Sequence, residues 1–225
     1  MWDCFIPINR DSQWQPGKFN HKRVLVLQIN QNNIARVIST LFVPPSFTII
    51  IFTLFALLLE TETIKQVVTI SNALLFGFTA QIILFVILRR RGKIVDLDAS
   101  VKEERTTPFL ISVGFYLIGL IILIIFQINI ISIAFWFCYI SNTLVTILIN
   151  KHWKISAHAM GSAGPLAALI YAFGPIALIF TIIVFLVGWS RIQLKVHILA
   201  QVIAGVLLAF VSTYLQIYLI VRFFE

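Results

Sequence analysis

The sequence predicts an all-α protein, a polytopic transmembrane helical bundle with six to seven spans. Two observations predict this fold class. The 225 residues are 60% hydrophobic and 12% charged, with a mean hydropathy of +0.97, which exceeds what a soluble domain needs. The apolar residues also lie in runs long enough to cross about 30 Å of hydrocarbon as helices. One bundle accommodates the whole chain.

Polar turns and prolines divide the apolar residues into seven segments. Pro44 and Pro45 should kink or delay the first helix, because proline cannot continue the helical hydrogen-bond ladder. Gly174 and Pro175 should divide the long run after Lys154 into two short helices. Fusion of neighbouring segments would reduce the number to six. The predicted spans are residues 38–59, 67–88, 109–126, 130–149, 156–173, 176–189 and 194–222.

The bundle, residues 34–225, follows a polar segment, residues 1–33. We expect this segment to be a cytosolic extension, because its one apolar patch, Val24 to Leu27, is too short for a signal peptide. All but Lys65 and Arg222 of the 17 Lys and Arg residues lie in the extension or at the same end of the bundle. The positive-inside rule puts that end in the cytosol. We therefore expect a multi-pass protein of a prokaryotic cell membrane with a cytosolic N-terminus.

The formal net charge of +8 would suggest a nucleic-acid partner in a soluble protein. In a membrane protein the positive-inside bias explains the same charge. We therefore expect membrane lipids as partners and no nucleic acid.

Two polar stretches interrupt the apolar runs at the basic end of the predicted bundle. The first is residues 151–158, Lys-His-Trp-Lys-Ile-Ser-Ala-His, and the second is residues 190–201, from Ser-Arg to Ala-Gln. On a helix that begins near Leu194, the side chains of His197 and Gln201 would share one face. The second stretch would then present an imidazole and an amide where a helix leaves the membrane surface.

The residue types in these stretches suit a phosphoryl group. The planar guanidinium of Arg191 can clamp phosphoryl oxygens, and His197 can act as a nucleophile or a base. Ser156 and His158 lie at the start of a predicted helix, where free backbone N–H groups favour an anion. Such a site needs no metal, so we expect no cofactor. Further positive charge comes from Lys151 and Lys154.

These stretches carry a family resemblance. Ser190-Arg191, five residues, His197, three residues and Gln201 resemble the third motif of the type 2 phosphatidic acid phosphatase (lipid phosphate phosphatase) superfamily, whose last residue is Asp. Residues 155–158, Ile-Ser-Ala-His, resemble the second motif, Pro-Ser-Gly-His. The motif order also agrees. The resemblance begins at residue 151, and its motifs lie within residues 151–205.

The first motif of that superfamily, a Lys six residues before Arg-Pro, is absent, since the chain has no Arg-Pro dipeptide. Its positive charge has two alternative sources. One is Lys151 or Lys154, and the other is Lys102 with Arg105 from the large polar loop.

The resemblance implies an integral membrane phosphatase that hydrolyses a lipid phosphate or an isoprenoid diphosphate. His197 would attack phosphorus, His158 would protonate the leaving oxygen, and Gln201 would orient the imidazole of His197. An amide stabilises an imidazolium less than a carboxylate does. The residues that would hold the phosphoryl oxygens are Arg191, Lys151, Lys154, Ser156 and Ser190.

Two other hypotheses compete with this one. The absent first motif and the replacement of Asp by Gln201 favour a non-catalytic relative that keeps the fold and binds anionic lipid. A metal-dependent transferase acting on a prenyl diphosphate would use the acidic residues of the 89–108 loop. No second acidic motif lies in or beside a span, so we interpret this loop as solvated. Its acidic residues are Asp96, Asp98, Glu103 and Glu104.

Overall fold

The computed structural model describes residues 21–95, 101 and 103–224, with side chains from Asn30 onward. Those ranges are helical almost throughout and contain no strand. A π-helical segment, Ala73–Thr79, joins α3 to α4, and 3₁₀ turns at Glu103–Arg105 and Gly174–Phe180 precede α5 and α8. The helices are α1 His21–Leu41, α2 Pro44–Leu59, α3 Thr63–Asn72, α4 Ala80–Arg90, α5 Thr106–Ile125, α6 Ile130–His152, α7 Ala157–Phe173, α8 Thr181–Gln193 and α9 Leu199–Phe224.

The predicted all-α membrane bundle is confirmed. Among the described residues, five helical stretches are long and apolar enough to cross a membrane. A sixth is formed by Asn30–Leu41 and Pro44–Leu59, which are bent by 52° relative to each other. By length and composition the described residues therefore contain five or six such stretches, with residues 157–193 counted as one. The five stretches are Thr63–Arg90, Glu103–Ile125, Ile130–His152, Ala157–Gln193 and Leu199–Phe224.

The chain bends between α1 and α2, where the sequence predicts a single span over 38–59. Pro44 is the first residue of α2, and Val43 before it is extended, with φ −72° and ψ 152°. This is the expected effect of proline, which disfavours helical backbone at the preceding residue. Helix α1 begins at His21, so the helical part reaches back into the polar extension. Residues 1–20 lie outside the described residues.

The apolar run of residues 157–193 folds back on itself at Gly174. This glycine has a φ of +76°, which glycine adopts without a steric penalty, and Pro175 follows it. Helices α7 and α8 pack against each other. A straight helix of 37 residues would be about 55 Å long, yet Lys154 before α7 donates to the carbonyl of Val196 after α8 at 2.7 Å. The predicted division into two short helices is therefore confirmed.

Hydrogen bonds between residues far apart in the sequence define the two ends of the bundle. The guanidinium of Arg105 donates to the carbonyl of Ile155 at 3.0 Å, and the N–H of Ser156 donates to the carbonyl of Gln201 at 3.3 Å. Helices α5, α7 and α9 therefore begin at one end, which we call the basic face. At the opposite end, the carboxylate of Glu60 accepts from the backbone N–H just before α6 at 2.6 Å.

Small residues bring α7 close to its neighbours. A Cβ atom on Gly161 would lie 2.8 Å from the ring of Pro44, and one on Gly205 would lie 2.9 Å from the carbonyl oxygen of Ser156. Ala163 is fully buried in the same helix. The small residues of the 157–164 segment therefore serve close helix packing.

An aromatic cluster fills the half of the bundle away from the basic face. The ring of Phe52 stacks on that of Phe135 at 5.4 Å and meets that of Trp136 edge-on at 5.0 Å. The indole N–H of Trp136 donates to the carbonyl of Tyr116 at 2.8 Å. This buried polar atom is therefore paired, and the rings form an apolar base beneath the basic face.

Candidate functional site

His197 lies in the turn between α8 and α9. The sequence-based prediction that a helix begins near Leu194 and includes His197 is wrong, because α9 begins at Leu199. The turn forms because Lys195 adopts a left-handed backbone with φ of 56°. The N–H of His197 then donates to the carbonyl of Arg191 at 3.3 Å. That carbonyl is one of the last acceptors of α8, which need partners from outside the helix.

The side chains of His197 and Gln201 are in contact, as the spacing predicts. Nδ1 of His197 lies 2.9 Å from Oε1 of Gln201. The backbone N–H of Ile198 also donates to this Oε1, at 3.4 Å. A backbone N–H only donates, so the atom between them is the amide oxygen, and Nδ1 of His197 carries a proton. In the neutral ring, the free lone pair is therefore on Nε2.

The same contact caps helix α9. Gln201 is the third residue of α9, and its side chain reaches back to the N–H of Ile198, which precedes the helix. This is the glutamine half of a capping box. Gln201 therefore fixes the first turn of α9 and the imidazole of His197 with one oxygen atom.

The imidazole of His197 is buried, with 6% of its surface exposed. Burial is the largest of the effects that lower the pKa of His197 to about 3, and the hydrogen bond with Gln201 acts in the opposite direction. The positive charges of three nearby side chains lower it further, because they disfavour a second cation. The ring is therefore neutral at pH 7. The three cations are Arg105, Lys154 and Arg191.

Ser190 and Arg191, in the last turn of α8, face the interior of the bundle. Arg191 is fully buried, and its guanidinium donates to the hydroxyl of Ser39 on α1 at 2.5 Å. Ser190 is also fully buried, and its hydroxyl donates to the carbonyl of Val187 at 2.7 Å. These bonds fasten α8 to α1 and use the serine hydroxyl within its own helix. The predicted contacts of Arg191 and Ser190 with a substrate are not tested by this structure.

The first polar stretch provides one cation close to the His197 turn. The ammonium of Lys154 donates to the carbonyl of Val196, next to His197, at 2.7 Å. Lys151 is exposed in the last turn of α6. Ser156 is fully buried and caps α7, since its hydroxyl accepts from the N–H of the residue three positions later at 3.4 Å. Lys154 is therefore the better candidate of the two lysines.

The sequence offered Arg105 as one of several possible sources of positive charge at the site and did not distinguish it from Lys102, Lys151 and Lys154. It is 4% exposed, and its charge acts on His197. Its guanidinium donates to the carbonyl of Ile155, which ties the start of α5 to the start of α7. Lys102, the other loop candidate, lies outside the described residues. Arg105 precedes an apolar helix, so only its tertiary partners indicate a role at the site.

A cavity of about 310 Å³ opens among α2, α4, α5, α6, α7 and α9, and we call it the shaft. His158 and Arg105 line it near the basic face. Arg191 and His197 do not line it. The structure therefore places the backbone carbonyl of Arg191 against the His197 turn and the side chain of His158 at the shaft. Arg105 lines the shaft, and its charge also acts on His197. The deeper lining includes Tyr116, Phe135, Tyr139 and Thr213.

The fold places this chain in the class of multi-pass helical membrane proteins. Its candidate site is a buried histidine–glutamine pair with three cations nearby. Compared with protein-family models, curated proteins and solved structures, the chain matches none. Within the described ranges, no group of three or more His, Cys, Asp or Glu side chains is placed to hold a metal ion.

The low pKa of His197 predicts an acid-sensitive fold. Between its ordinary value of about 6.5 and the folded value of about 3, the unfolded chain binds a proton that the folded chain does not. Stability is therefore full above about pH 6.5 and falls as the pH is lowered, by up to about 1.4 kcal/mol per pH unit. His197→Asn removes this titration and keeps a donor for Gln201. Between pH 7 and pH 5, the variant should lose about 2 kcal/mol less stability than the parent.

Unfolding in detergent at pH 7 and pH 5 measures this difference. His152→Asn is the matched control, because His152 is exposed at the end of α6, and it should lose as much stability as the parent. Equal losses in the parent and in His197→Asn would contradict the assignment of the titration to His197.

Proposed function

We propose that this protein is an integral membrane phosphatase that hydrolyses a lipid phosphate or an isoprenoid diphosphate through His197. The observation that supports the proposal is the oriented, neutral imidazole. Gln201 holds the proton on Nδ1, so the lone pair of Nε2 is available for attack, as a nucleophile requires. Nearby Arg105, Lys154 and Arg191 would stabilise the charge of a phosphoryl group.

In the proposed first step, the lone pair of Nε2 of His197 bonds to phosphorus while the P–O bond to the lipid breaks. The leaving oxygen keeps the electron pair of that bond and takes a proton from protonated His158. In the second step, water attacks the phosphohistidine and gives a proton to His158. The electron pair of the P–N bond returns to Nε2. Gln201 accepts from Nδ1–H throughout and stabilises the charge on the ring.

The proposed contacts to the phosphoryl oxygens differ in what they require. The ammonium of Lys154 lies beside the His197 turn and is suited to contact substrate. Arg105 is buried, but it lines the shaft and can contact a substrate there. Arg191, with Ser156 and Ser190, is buried and would have to exchange its present bonds. Lys151 is exposed and would attract anionic headgroups from the surface.

The burial of His197 and Arg191 favours a second candidate function. In this alternative, the protein keeps the fold without catalysis and binds anionic lipid at the basic face. The cations would then serve as a headgroup site, and the bond between Arg191 and Ser39 would be structural. Phosphate release distinguishes the two candidates.

We further propose that the basic face and the N-terminus are cytosolic, in a prokaryotic cell membrane, because the Arg89–Arg91 run and most other cations of the described residues belong to that face. In a chain without Cys4 and Cys138, Thr61→Cys at the opposite end should react with an impermeant thiol reagent on intact cells. Lys151→Cys should react only after the cells are opened. The reverse pattern would put the site on the outer face.

A phosphate-release assay on purified protein tests the main proposal. The parent should release phosphate from members of a panel of lipid phosphates and isoprenoid diphosphates, with or without a chelator. His197→Ala should be slower by about 10³-fold or more, because the nucleophile is lost. His158→Ala should be slower by about 10²-fold or more, because the general acid is lost. His152→Ala is the matched control and should keep the parent rate.

The other outcomes of this assay have distinct meanings. An unchanged rate in His197→Ala would end the nucleophile assignment. A parent that is inert on every substrate would favour the non-catalytic lipid-binding candidate. A rate abolished by the chelator would contradict the metal-free histidine mechanism and show that the reaction depends on a metal.

Gln201→Glu tests the orienting role with an isosteric side chain. The carboxylate should keep both contacts of the amide oxygen and bind Nδ1–H more strongly. It should also raise the pKa of His197, because a nearby anion favours the protonated ring. We expect phosphoryl transfer to be about tenfold faster, with the acid limb of the pH–rate profile moved upward.

Gln201→Leu should be about tenfold slower than the parent, because the ring loses its orienting acceptor. The matched control is Gln193→Leu, since the amide of Gln193 pairs with Asn32 at 3.0 Å and does not touch the imidazole. An acid limb that stays in place in Gln201→Glu would show that Gln201 does not act on the catalytic group.

A further inference from the structure

The shaft runs from the basic face deep into the bundle. Its mouth is marked by Arg105, just before α5, and His158, in the first turn of α7. Tyr116 lies ten residues into α5 and Thr213 lies fourteen residues into α9. At 1.5 Å per residue these positions are about 15–20 Å below the mouth. The shaft therefore reaches through about half of a 30 Å hydrocarbon core.

Most of the wall of the shaft is apolar, and several of its polar side chains are bonded to one another or to the backbone. The amide of Asn142 donates to the hydroxyl of Thr213 at 3.1 Å and accepts from the hydroxyl of Ser212 at 2.8 Å. The hydroxyl of Thr146 donates to the backbone carbonyl of Asn142 at 2.6 Å. Because these groups are already paired, they do not require a polar ligand. The apolar lining includes Val43, Ile82, Leu84, Phe85, Phe109 and Met160.

The mouth has the opposite character. The buried guanidinium of Arg105 and the imidazole of His158 lie there, and Lys154 lies beside the adjoining turn. The aromatic cluster, with Phe135 and Tyr116, lies at the inner end. A cationic mouth above an apolar wall matches an anionic headgroup attached to a hydrocarbon chain.

We propose that the shaft receives the single hydrocarbon chain of the substrate, with its phosphate held at the mouth by Arg105 and His158. The proposal rests on the proposed phosphatase function and narrows its substrate to a phosphate on one long alkyl or isoprenoid chain. A volume of about 310 Å³ is at the lower end for small-molecule sites, about 300–1,000 Å³. We infer that one chain, and not both chains of a diacyl phosphatidic acid, enters the shaft.

Photolabelling locates the chain directly. The probe is a single-chain alkyl phosphonate with a diazirine near the chain end, whose P–C bond the proposed reaction does not break. With protein in lipid nanodiscs, mass spectrometry should find adducts on the deep lining residues Tyr116, Phe135 and Thr213. Adducts confined to the outward-facing Leu148, which is 59% exposed, would overturn the proposal.

Two pairs of variants make the test specific. Thr143 lines the shaft, and its neighbour Leu144 is 43% exposed and does not line it. Thr143→Phe should reduce deep labelling by about tenfold or more, because an added ring competes with the chain for space, and Leu144→Phe should not. Ile82→Phe and Ile83→Phe form a second pair with the same expectation, because Ile82 lines the shaft and Ile83 does not. Equal labelling within both pairs would contradict the proposal.

Competition identifies the ligand chemistry. An unlabelled single-chain alkyl phosphate should suppress the deep adducts, and inorganic phosphate or a diacyl phosphatidic acid should leave them unchanged. Suppression by inorganic phosphate would assign the site to a free anion, and equal suppression by the diacyl lipid would remove the single-chain restriction.

The two proposals fail separately in this design. The deep adducts should also form in His197→Ala, because binding does not need the nucleophile. Deep labelling in a protein that never releases phosphate would reject the phosphatase and keep the shaft as a lipid site. Phosphate release without deep labelling would reject the shaft and keep the phosphatase.

Discussion

The structure depends on how cations at the basic face are paired with backbone carbonyls. A buried or half-buried charge at a membrane surface is unfavourable unless it is hydrogen-bonded. Arg105 donates to Ile155 and Lys154 donates to Val196, and both carbonyls belong to short segments between helices. The bonds that stabilise the two charges therefore also fix the segments before α7 and α9. One set of contacts provides local positive potential and sets the positions of three helices.

The turn that carries His197 follows from this constraint. Lys154 holds the turn from one side, and the carbonyl of Arg191 accepts the N–H of His197 from the other. Gln201 then orients the imidazole while it caps α9. Stability and the proposed chemistry thus share the same atoms. The apolar shaft and the aromatic cluster lie beneath the basic face, so the proposed headgroup chemistry and the proposed chain recognition would lie at different depths in the bundle.

Much of the fold could be predicted from the sequence, because hydropathy and helix punctuation are local properties. The division at Gly174 and Pro175 and the bend before Pro44 follow from the backbone restrictions of these residues. The start of α9 could not be predicted in the same way. The residues from Leu194 are compatible with helix, but the left-handed Lys195 and the carbonyl of Arg191 form a turn instead. A hydrogen bond outside the helical pattern therefore set that boundary.

The sequence by itself determined the class of protein and its cationic face, because composition and charge position act over short distances. The contact of His197 with Gln201 was predicted from a helix that does not include His197, and it forms because Gln201 reaches back across the start of α9. Only the tertiary structure decided that Arg105 accompanies the turn while Lys151 remains exposed. It also separated His158, which lines the shaft, from the His197 turn. The physical reason is that these relations depend on which helix starts pack together, and helix packing is set by close contacts between segments that are distant along the chain.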